Sequence, residues 1–258
     1  MKQLLSALII ICAFSCSQNA AKEKSLSAEK PDAIFQYSVF AGLTNKIYEG
    51  VLTVGELKKH GDTGLGTYNG LNGEMIVSGG EVYQLLENGT IRKPEDSEQV
   101  PFAVVSFFET DKETQIKDET NYEGLKKHIR ENLPSENIPY TFQINGSFEF
   151  IQCSGAAQQE KPYQKTLSEA LADKPVYDAG NITGTMVGFW FPEYVGKINV
   201  AGFHLHFISD DKNFAGHVID FNASSLDIRI DFSDGMNVLL PDTEEFLKSE
   251  FDLSQGYN

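Results

Sequence analysis

The sequence predicts a strand-dominated α+β fold. Short runs in which aromatic or β-branched residues alternate with other residues recur along the chain, whereas segments with helical spacing are few and short. Apolar residues make up 41% of the 258 residues, which is enough for a substantial core. No clear linker interrupts the chain after residue 31, so residues 32–258 are predicted to form one domain with a soft internal division near residue 165.

Strands are predicted wherever this alternation or a short apolar run is bounded by turn residues, namely at 34–40, 74–77, 82–86, 104–108, 185–189, 199–208, 217–221 and 225–232. Gly79-Gly80 and Asn145-Gly146 lie between such runs and predict two hairpins. Three segments with capping-box spacing predict short helices, and the acidic C-terminal segment is a candidate for one more; the three are Thr53–Glu56, Thr120–Glu123 and Thr166–Glu169.

The N-terminus predicts export. Lys2 precedes a short apolar run that is too brief to span a bilayer and that ends at Ala13-Phe14-Ser15-Cys16. Residues 1–15 therefore resemble a bacterial lipoprotein signal peptide, with Cys16 as the lipidated residue and 16–31 as a flexible tether. An ordinary secretory signal with an incidental cysteine is the alternative. The prediction places the protein at the cell envelope, in contact with a membrane only through its lipid.

Charge and cysteine content restrict the partners further. The formal charge of −16 argues against a nucleic-acid partner, because a phosphate-binding surface must be basic. Of three cysteines, Cys12 lies in the signal segment and Cys16 would carry lipid, which leaves Cys153. No intramolecular disulfide is expected.

Three of the five histidines fall within fourteen positions. His204 and His206 occupy alternate positions of a predicted strand, so they lie on the same face. The next segment is rich in Asp, Asn and Gly, as a hairpin connection is. If the strands pair about a turn near Asp211 and Lys212, His217 lies across from His206. The pattern therefore predicts that the three imidazoles converge.

Three histidines without a fourth protein ligand are typical of a catalytic zinc site, which keeps one coordination position open for water or substrate. Imidazole also binds nickel, copper and iron, so the residues favour Zn²⁺ without excluding these metals. A polar strand face with no metal is the simpler alternative. We predict a zinc site at His204, His206 and His217.

Glu74 and Thr67 are the candidates to complete this site. Glu74 begins an apolar strand, where a carboxylate is unusual, and Thr67 lies on the other side of a glycine-rich turn. The alternative is that Glu74 only caps a hairpin. Asp220 lies three residues after His217 and is expected to face away from it.

Several segments together resemble bacterial α-acetolactate decarboxylase and follow that family's order; they are 64–69, 72–74, 159–163, 184–189 and 198–221. The resemblance implies that the three histidines are zinc ligands, that Glu74 is the active-site glutamate and that Thr67 lines the pocket. It also implies a mixed sheet beside a second, barrel-like half, a zinc site in a cleft, and often a dimer. The implied reaction converts α-acetolactate, a 2-hydroxy-3-keto acid, to acetoin and carbon dioxide.

The sequence departs from the family pattern in two places. The family carries arginines on the strand before the segment 159–163, and one of them reaches the active site. This chain offers Gln143, Gln152 and Ser154 there. The family also places a second active-site glutamate in a C-terminal tail, for which Glu245 or Glu250 would have to substitute. Two alternatives to the decarboxylase follow from these departures: a zinc-bearing homologue that binds a small oxygen-rich ligand without turnover, and a metal-dependent lyase or hydrolase for another envelope substrate.

Overall fold

Strands dominate the part of the chain that the structure, a computed structural model, describes, which is residues 32–255. The strands are β1 (Ala33–Tyr37), β2 (Leu52–Thr53), β3 (Thr63–Thr67), β4 (Glu74–Ser78), β5 (Glu81–Leu85), β6 (Ile91–Arg92), β7 (Gln99–Val100), β8 (Phe102–Ser106), β9 (Lys112–Ile116), β10 (Thr120–Asn121), β11 (Tyr140–Ser154), β12 (Val176–Ala179), β13 (Ile182–Phe191), β14 (Gly202–Ser209), β15 (Ala215–Phe232) and β16 (Gly235–Leu239). The helices are short: α1 (Phe40–Thr44), α2 (Val54–Leu57), α3 (Tyr122–Asn132), α4 (Leu167–Ala170) and α5 (Glu244–Lys248).

Seven strands form the first sheet, in the order β16-β1-β8-β3-β4-β5-β6. β1 and β16 are parallel and the other neighbours are antiparallel, so the sheet is mixed. β3 and β4 form a hairpin in which Thr67 pairs with Glu74. The glycine-rich turn of the sequence thereby brings the two candidate residues side by side.

The second sheet closes on itself. β11 pairs with β13, β13 with β14, β14 with β15, and β15 again with β11. These four strands therefore form a small barrel, to which β9, β10 and β12 add at the edges. Aromatic side chains fill its interior, as in the perpendicular contact between Phe148 and Phe207, whose ring centroids lie 5.1 Å apart.

The first sheet packs against the outside of the barrel through β13, β14 and β15. Leu65 and Val104 of the first sheet share a buried cluster with Phe189 and Phe191 of β13. A second buried cluster joins Ile76 to apolar residues of β13, β14 and β15. β13, β14 and β15 therefore bury one face in the barrel interior and pack the other against the first sheet. The interface between the two sheets is protected from water.

The predicted fold class is confirmed, and the helix caps explain why the helices begin where they do. The Thr53 hydroxyl accepts a hydrogen bond from the amide of Glu56, and Thr166 forms both bonds of a capping box with Glu169. At the predicted box Thr120–Glu123 the cap is Asn121 rather than Thr120, because the Asn121 side chain accepts a hydrogen bond from the amide of Gly124.

The predicted hairpin at Asn145-Gly146 is wrong. Both residues lie within β11, which runs without a turn for 15 residues. β11 pairs with β13 on one side and β15 on the other, so ladder hydrogen bonds on both edges outweigh the local preference for a turn. The chain changes from the first sheet to the barrel between β8 and β9, and β11 and β12, which flank residue 165, belong to the same sheet.

The N-terminal predictions lie outside the described residues: the signal peptide 1–15, lipidated Cys16 and the tether 16–31. Within residues 32–255, none of the helices combines the length and apolar character that a membrane crossing requires.

Candidate active site

Two histidines reach the interface between the sheets because of the alternation along β14. Leu205 and Phe207 belong to the core of the barrel. Successive side chains of a strand point to opposite faces, so His204 and His206 point the other way, towards the first sheet. Their ring centroids lie 5.1 Å apart.

The register between β14 and β15 places the third histidine, His217, beside the other two. β14 and β15 form a hairpin in which His206 pairs with His217, as predicted. Gly216, just before His217, has φ +144°, and a Cβ atom there would lie 2.7 Å from the carbonyl oxygen of Ser154. Glycine therefore permits the close approach of β15 to β11 at this point. Asp220 is exposed, in agreement with the expectation that it faces away.

The three imidazoles converge. Each offers one ring nitrogen, and these nitrogens lie within 4.8 Å of one another. His204 Nδ1 and His206 Nε2 are buried and have no hydrogen-bond partner among residues 32–255. His206 Nδ1 lies 2.8 Å from the carbonyl oxygen of Met75, an acceptor, which assigns the proton to Nδ1 and leaves the lone pair on Nε2 directed into the cluster. Buried and unpaired nitrogens of this kind are suited to bind a metal ion.

The surroundings also keep the rings neutral. Burial lowers the pKa of His206 to about 4, and burial together with the neighbouring His206 lowers the pKa of His217 to about 3. Burial and the two other rings shift the pKa of His204 well below its usual value. A metal ion binds the neutral form of imidazole, so at neutral pH no proton has to be displaced before the ion binds.

Glu74 and Thr67 face the histidines from the first sheet. Oε2 of Glu74 lies 3.7 Å from Nε2 of His206, and the side chain is 13% exposed. Burial raises the pKa of Glu74 to about 8, against an opposing effect of Lys174. The hydroxyl of Thr67 donates a hydrogen bond of 2.7 Å to the carbonyl of Gly73, which holds the turn that presents Glu74. The structure thus brings all five predicted residues together.

A single cavity connects these groups. Its polar lining consists of the five predicted residues with Ser154 and Lys174, and the rest is mainly apolar: Phe40, Leu43, Leu65, Leu71, Phe102, Ala156, Leu167, Leu171 and Val200. A site with few polar groups in apolar walls is typical of small-molecule binding. Leu167 of α4 and Leu171, just after the helix, therefore form part of the wall.

Lys174 also lines the cavity, and sequence reasoning did not single it out. It lies between α4 and β12, and it is the one lysine or arginine among the described residues that line the cavity. Its positive charge lowers the pKa of both Glu74 and His217. The surrounding Ala-Asp-Lys-Pro segment carries no motif, so only the fold reveals this position.

Of the three residues that depart from the family pattern, one lines the cavity and two do not. Ser154 is buried in the cavity wall, opposite His217 in the register of β11 and β15. Gln143 hydrogen-bonds to Thr63 and Arg229, and Gln152 to Asp178, so neither belongs to the cavity lining.

The predicted substitutes for a C-terminal glutamate also lie elsewhere. Glu245 lines a separate depression with Lys161 and Tyr163, and Glu250 is exposed. Within residues 32–255 the cavity therefore carries one carboxylate, that of Glu74.

Known proteins are similar to this chain in sequence and in fold. A sequence model of the family described as alpha-acetolactate decarboxylase matches residues 34–253. The chain belongs to the alpha-acetolactate decarboxylase family. Among its relatives, the alpha-acetolactate decarboxylase of Bacillus licheniformis is 36% identical over 244 residues, which are 93% of this chain and 96% of that protein. The alpha-acetolactate decarboxylase of Methanosarcina mazei is 36% identical over 87% of this chain and 78% of its own length.

Solved structures of acetolactate decarboxylases superpose closely on this chain. The acetolactate decarboxylase of Bacillus subtilis subspecies spizizenii superposes with a TM-score of 0.83 at 36% identity, covering 86% of this chain and 95% of that one. The enzyme from Bacillus subtilis strain 168 gives the same TM-score at 34% identity, over 87% of this chain and 100% of its own. The alpha-acetolactate decarboxylase family thus accounts for both the mixed sheet and the barrel.

Proposed function

We propose that this protein decarboxylates α-acetolactate to acetoin and carbon dioxide. The observation that carries the proposal is the cavity itself: three converging imidazoles, one carboxyl and one ammonium group face each other between apolar walls. The family relationship extends over 93% of the chain in the Bacillus licheniformis comparison and adds independent support. The substrate is a small anion with adjacent carbonyl and hydroxyl oxygens, and each of these features has a matching group in the cavity.

Zinc is the metal that we propose for the imidazoles. His204, His206 and His217 would hold it, and they fit because each offers a neutral ring nitrogen and those of His204 and His206 are buried without a hydrogen-bond partner among the described residues. Three histidines with an open position are typical of catalytic zinc. When bound, zinc supplies Lewis-acid polarisation of the substrate carbonyl and stabilises negative charge on oxygen. The Met75 carbonyl fixes the tautomer and orientation of His206 before any metal arrives.

Glu74 supplies the proton. Loss of carbon dioxide breaks a carbon–carbon bond and leaves its electron pair on the carbon skeleton, which must gain one proton to become acetoin. Glu74 is the one carboxyl among the described residues of the cavity lining, and it faces the imidazoles from the opposite sheet. The carboxyl donates its proton to carbon and regains one from solvent, so atoms and charge balance over a cycle.

The other polar groups hold the parts in place. Thr67 acts as a positioning residue, because its hydroxyl donates to Gly73 and fixes the turn before Glu74. The apolar walls exclude water, which strengthens every electrostatic interaction inside the cavity.

Lys174 takes the role of binding the substrate carboxylate. We expect Lys174→Met to raise KM and to lower kcat/KM about 10- to 150-fold, since a hydrogen bond with a charged group contributes about 1.5–3 kcal/mol. Methionine keeps the apolar stem and removes only the charge. Lys174→Arg restores the charge and should recover most of the loss. Steady-state acetoin formation measures both parameters.

Lys165→Met is the matched control, because Lys165 is an exposed lysine that precedes α4, whereas Lys174 follows it. It should behave like the unaltered protein. If Lys174→Met retains its KM and kcat/KM, another group binds the carboxylate and the role assigned to Lys174 is wrong.

The decisive experiment for the function incubates the purified protein with racemic α-acetolactate and measures acetoin, before and after a chelator. We expect acetoin that disappears with the chelator and returns with added Zn²⁺. Stoichiometric zinc with no acetoin would contradict the proposal and favour the non-catalytic homologue.

We further propose that the protein is exported and anchored by a lipid on Cys16, which rests on the signal-like segment before that residue. Cys16→Ser should abolish incorporation of radiolabelled palmitate and release the protein from the membrane fraction. Unchanged labelling of the variant would rule this anchor out. The dimer that the resemblance implies stays a prediction.

A further inference from the structure

A second cluster of ligand-type side chains lies outside the histidine cavity. Carboxylate oxygens of Asp32, Asp111 and Asp231 lie within 4.8 Å of one another. None of the three lines the cavity described above. Nothing in the proposed decarboxylation uses them, so the cluster needs its own explanation.

The fold builds this cluster where the chain passes between its two sheets. Asp32 stands before β1, Asp111 precedes β9, and Asp231 lies near the end of β15. The amide of Asp111 donates to the carbonyl of Ile230, and the amide of Phe232 donates to Oδ2 of Asp111 at 2.8 Å. These bonds lock the loop between β8 and β9 against β15.

Asp32 is also held in place by a backbone hydrogen bond. The amide of Asp234 donates to the carbonyl of Asp32 at 2.7 Å, directly beside the first pairing of β1 with β16. Backbone bonds therefore hold all three residues, rather than a flexible surface bringing them together by chance.

Asp231 shows that the cluster lacks a component. The residue is 0% exposed, and its Oδ1 has no hydrogen-bond partner among the described residues. Its Oδ2 accepts a long bond of 3.3 Å from the amide of Glu109. Buried carboxylate oxygens are normally paired, because leaving water without a partner is costly. An unpaired oxygen beside two more carboxylates points to a missing positive charge.

The neighbouring negative charges strengthen the case for a cation beside Asp231. Burial, Asp32, Asp111 and Glu109 together raise the pKa of Asp231 to about 7. Burial and the charges of Asp111, Glu109 and Asp234 raise the pKa of Asp32, and a side-chain hydrogen bond with Asp231 opposes this rise. The nearest lysine along the chain, Lys112, directs its ammonium group to the carbonyl of Asn132 instead.

We propose that Asp32, Asp111 and Asp231 form a binding site for Ca²⁺. Calcium binds hard carboxylate oxygens at 2.3–2.6 Å, so two oxygens on one ion lie at most about 5 Å apart, which matches the spread of the cluster. The cluster contains no nitrogen or sulfur donor of the kind that zinc and copper prefer. The ion ties the entry of β1 and both passages between the sheets to one point, and thereby stabilises the docking of the two sheets.

The test measures the thermal unfolding of the full, zinc-loaded protein after exhaustive removal of calcium, with and without added CaCl₂. A ligand that binds only the folded state at 100 times its Kd should raise Tm of a protein of this size by about 5–11 °C. Zinc loading keeps calcium out of the histidine cavity. The readout does not involve acetoin, so the test of the calcium site is independent of the test of the proposed function.

Two variants locate the effect. Asp231→Asn removes the buried ligand and Asp111→Asn an exposed one, and both should lose the calcium-induced increase in Tm. Asp227→Asn, an exposed position on the same strand β15, is the matched control and should keep it.

No increase in Tm for the unaltered protein at 10 mM CaCl₂, about ten times the Kd of the weakest typical calcium sites (~1 mM), overturns the proposal. An undiminished increase in both Asp231→Asn and Asp111→Asn does so as well. An equal effect of MgCl₂ at the same concentration overturns the assignment to calcium.

Discussion

His217→Gln is expected to lose its bound metal and to form acetoin at least about 100-fold more slowly, since the loss of a residue that merely orients a ligand already costs about 10- to 100-fold in metal affinity or activity. Glutamine approximates the size of histidine but offers no imidazole nitrogen. His217 is one of three converging rings, with centroids 4.9 Å from His204 and 5.4 Å from His206, so its removal leaves only two donors. Elemental analysis and the acetoin assay on the same preparation measure both losses.

His128→Gln controls for the substitution itself. His128 lies on α3, where it hydrogen-bonds to Thr114, and it is not part of the cavity lining. This variant should retain metal and activity. A His217→Gln protein that still carries one equivalent of zinc and turns over normally would refute the triad as the metal site.

Glu74→Gln is expected to lower kcat by about 10²- to 10⁴-fold, the usual contribution of a positioned acid or base, while the bound metal is retained. The amide has the shape of the carboxyl but cannot donate a proton to carbon and regain one. The folded protein should be at least as stable as before, because burial disfavours the charged form of this carboxyl. Acetoin kinetics, zinc content and Tm together separate a lost proton donor from a lost metal ligand.

Glu81→Gln, on the neighbouring strand β5, is the matched control, since Glu81 is exposed and forms an ion pair with Lys93. Its kcat should not change. Should Glu74→Gln turn over as fast as the unaltered protein, the proton must come from another group or from solvent, and the assigned role of Glu74 fails.

The histidine arrangement could be predicted from sequence because it depends on local rules. Alternation along a strand places His204 and His206 on one face, and the short polar turn sets the register that pairs His206 with His217. These relations hold within one hairpin, so no knowledge of distant contacts was required. The β3–β4 pairing of Thr67 with Glu74 is local for the same reason.

The meeting of these two hairpins could not be derived from local patterns. It depends on the docking of the first sheet against the barrel, which apolar side chains such as Leu65 and Phe189 drive without directional signals. The resemblance to a family supplied that part of the prediction. Lys174 was missed because it lies in a connecting segment, and only the fold brings that segment to the cavity.

Local reasoning failed where tertiary pairing opposed it. Asn145-Gly146 favours a tight turn, yet both residues continue as strand in β11 because partners on both sides satisfy their backbone. The long strands β11 and β15 therefore had to be recognised as closing a barrel before their length could be predicted. A single sequence does not reveal this closure.

The hydrogen bond from the imidazole of His206 to the carbonyl of Met75 is one of those that cross from the barrel to the first sheet. The three rings proposed to bind the metal belong to the barrel and the proposed proton donor, Glu74, belongs to the first sheet, so neither layer alone contains the complete proposed reaction centre. Turnover therefore requires both layers to be folded and docked against each other. A chain whose first sheet has melted could still retain an ion on its barrel, but it would release no product.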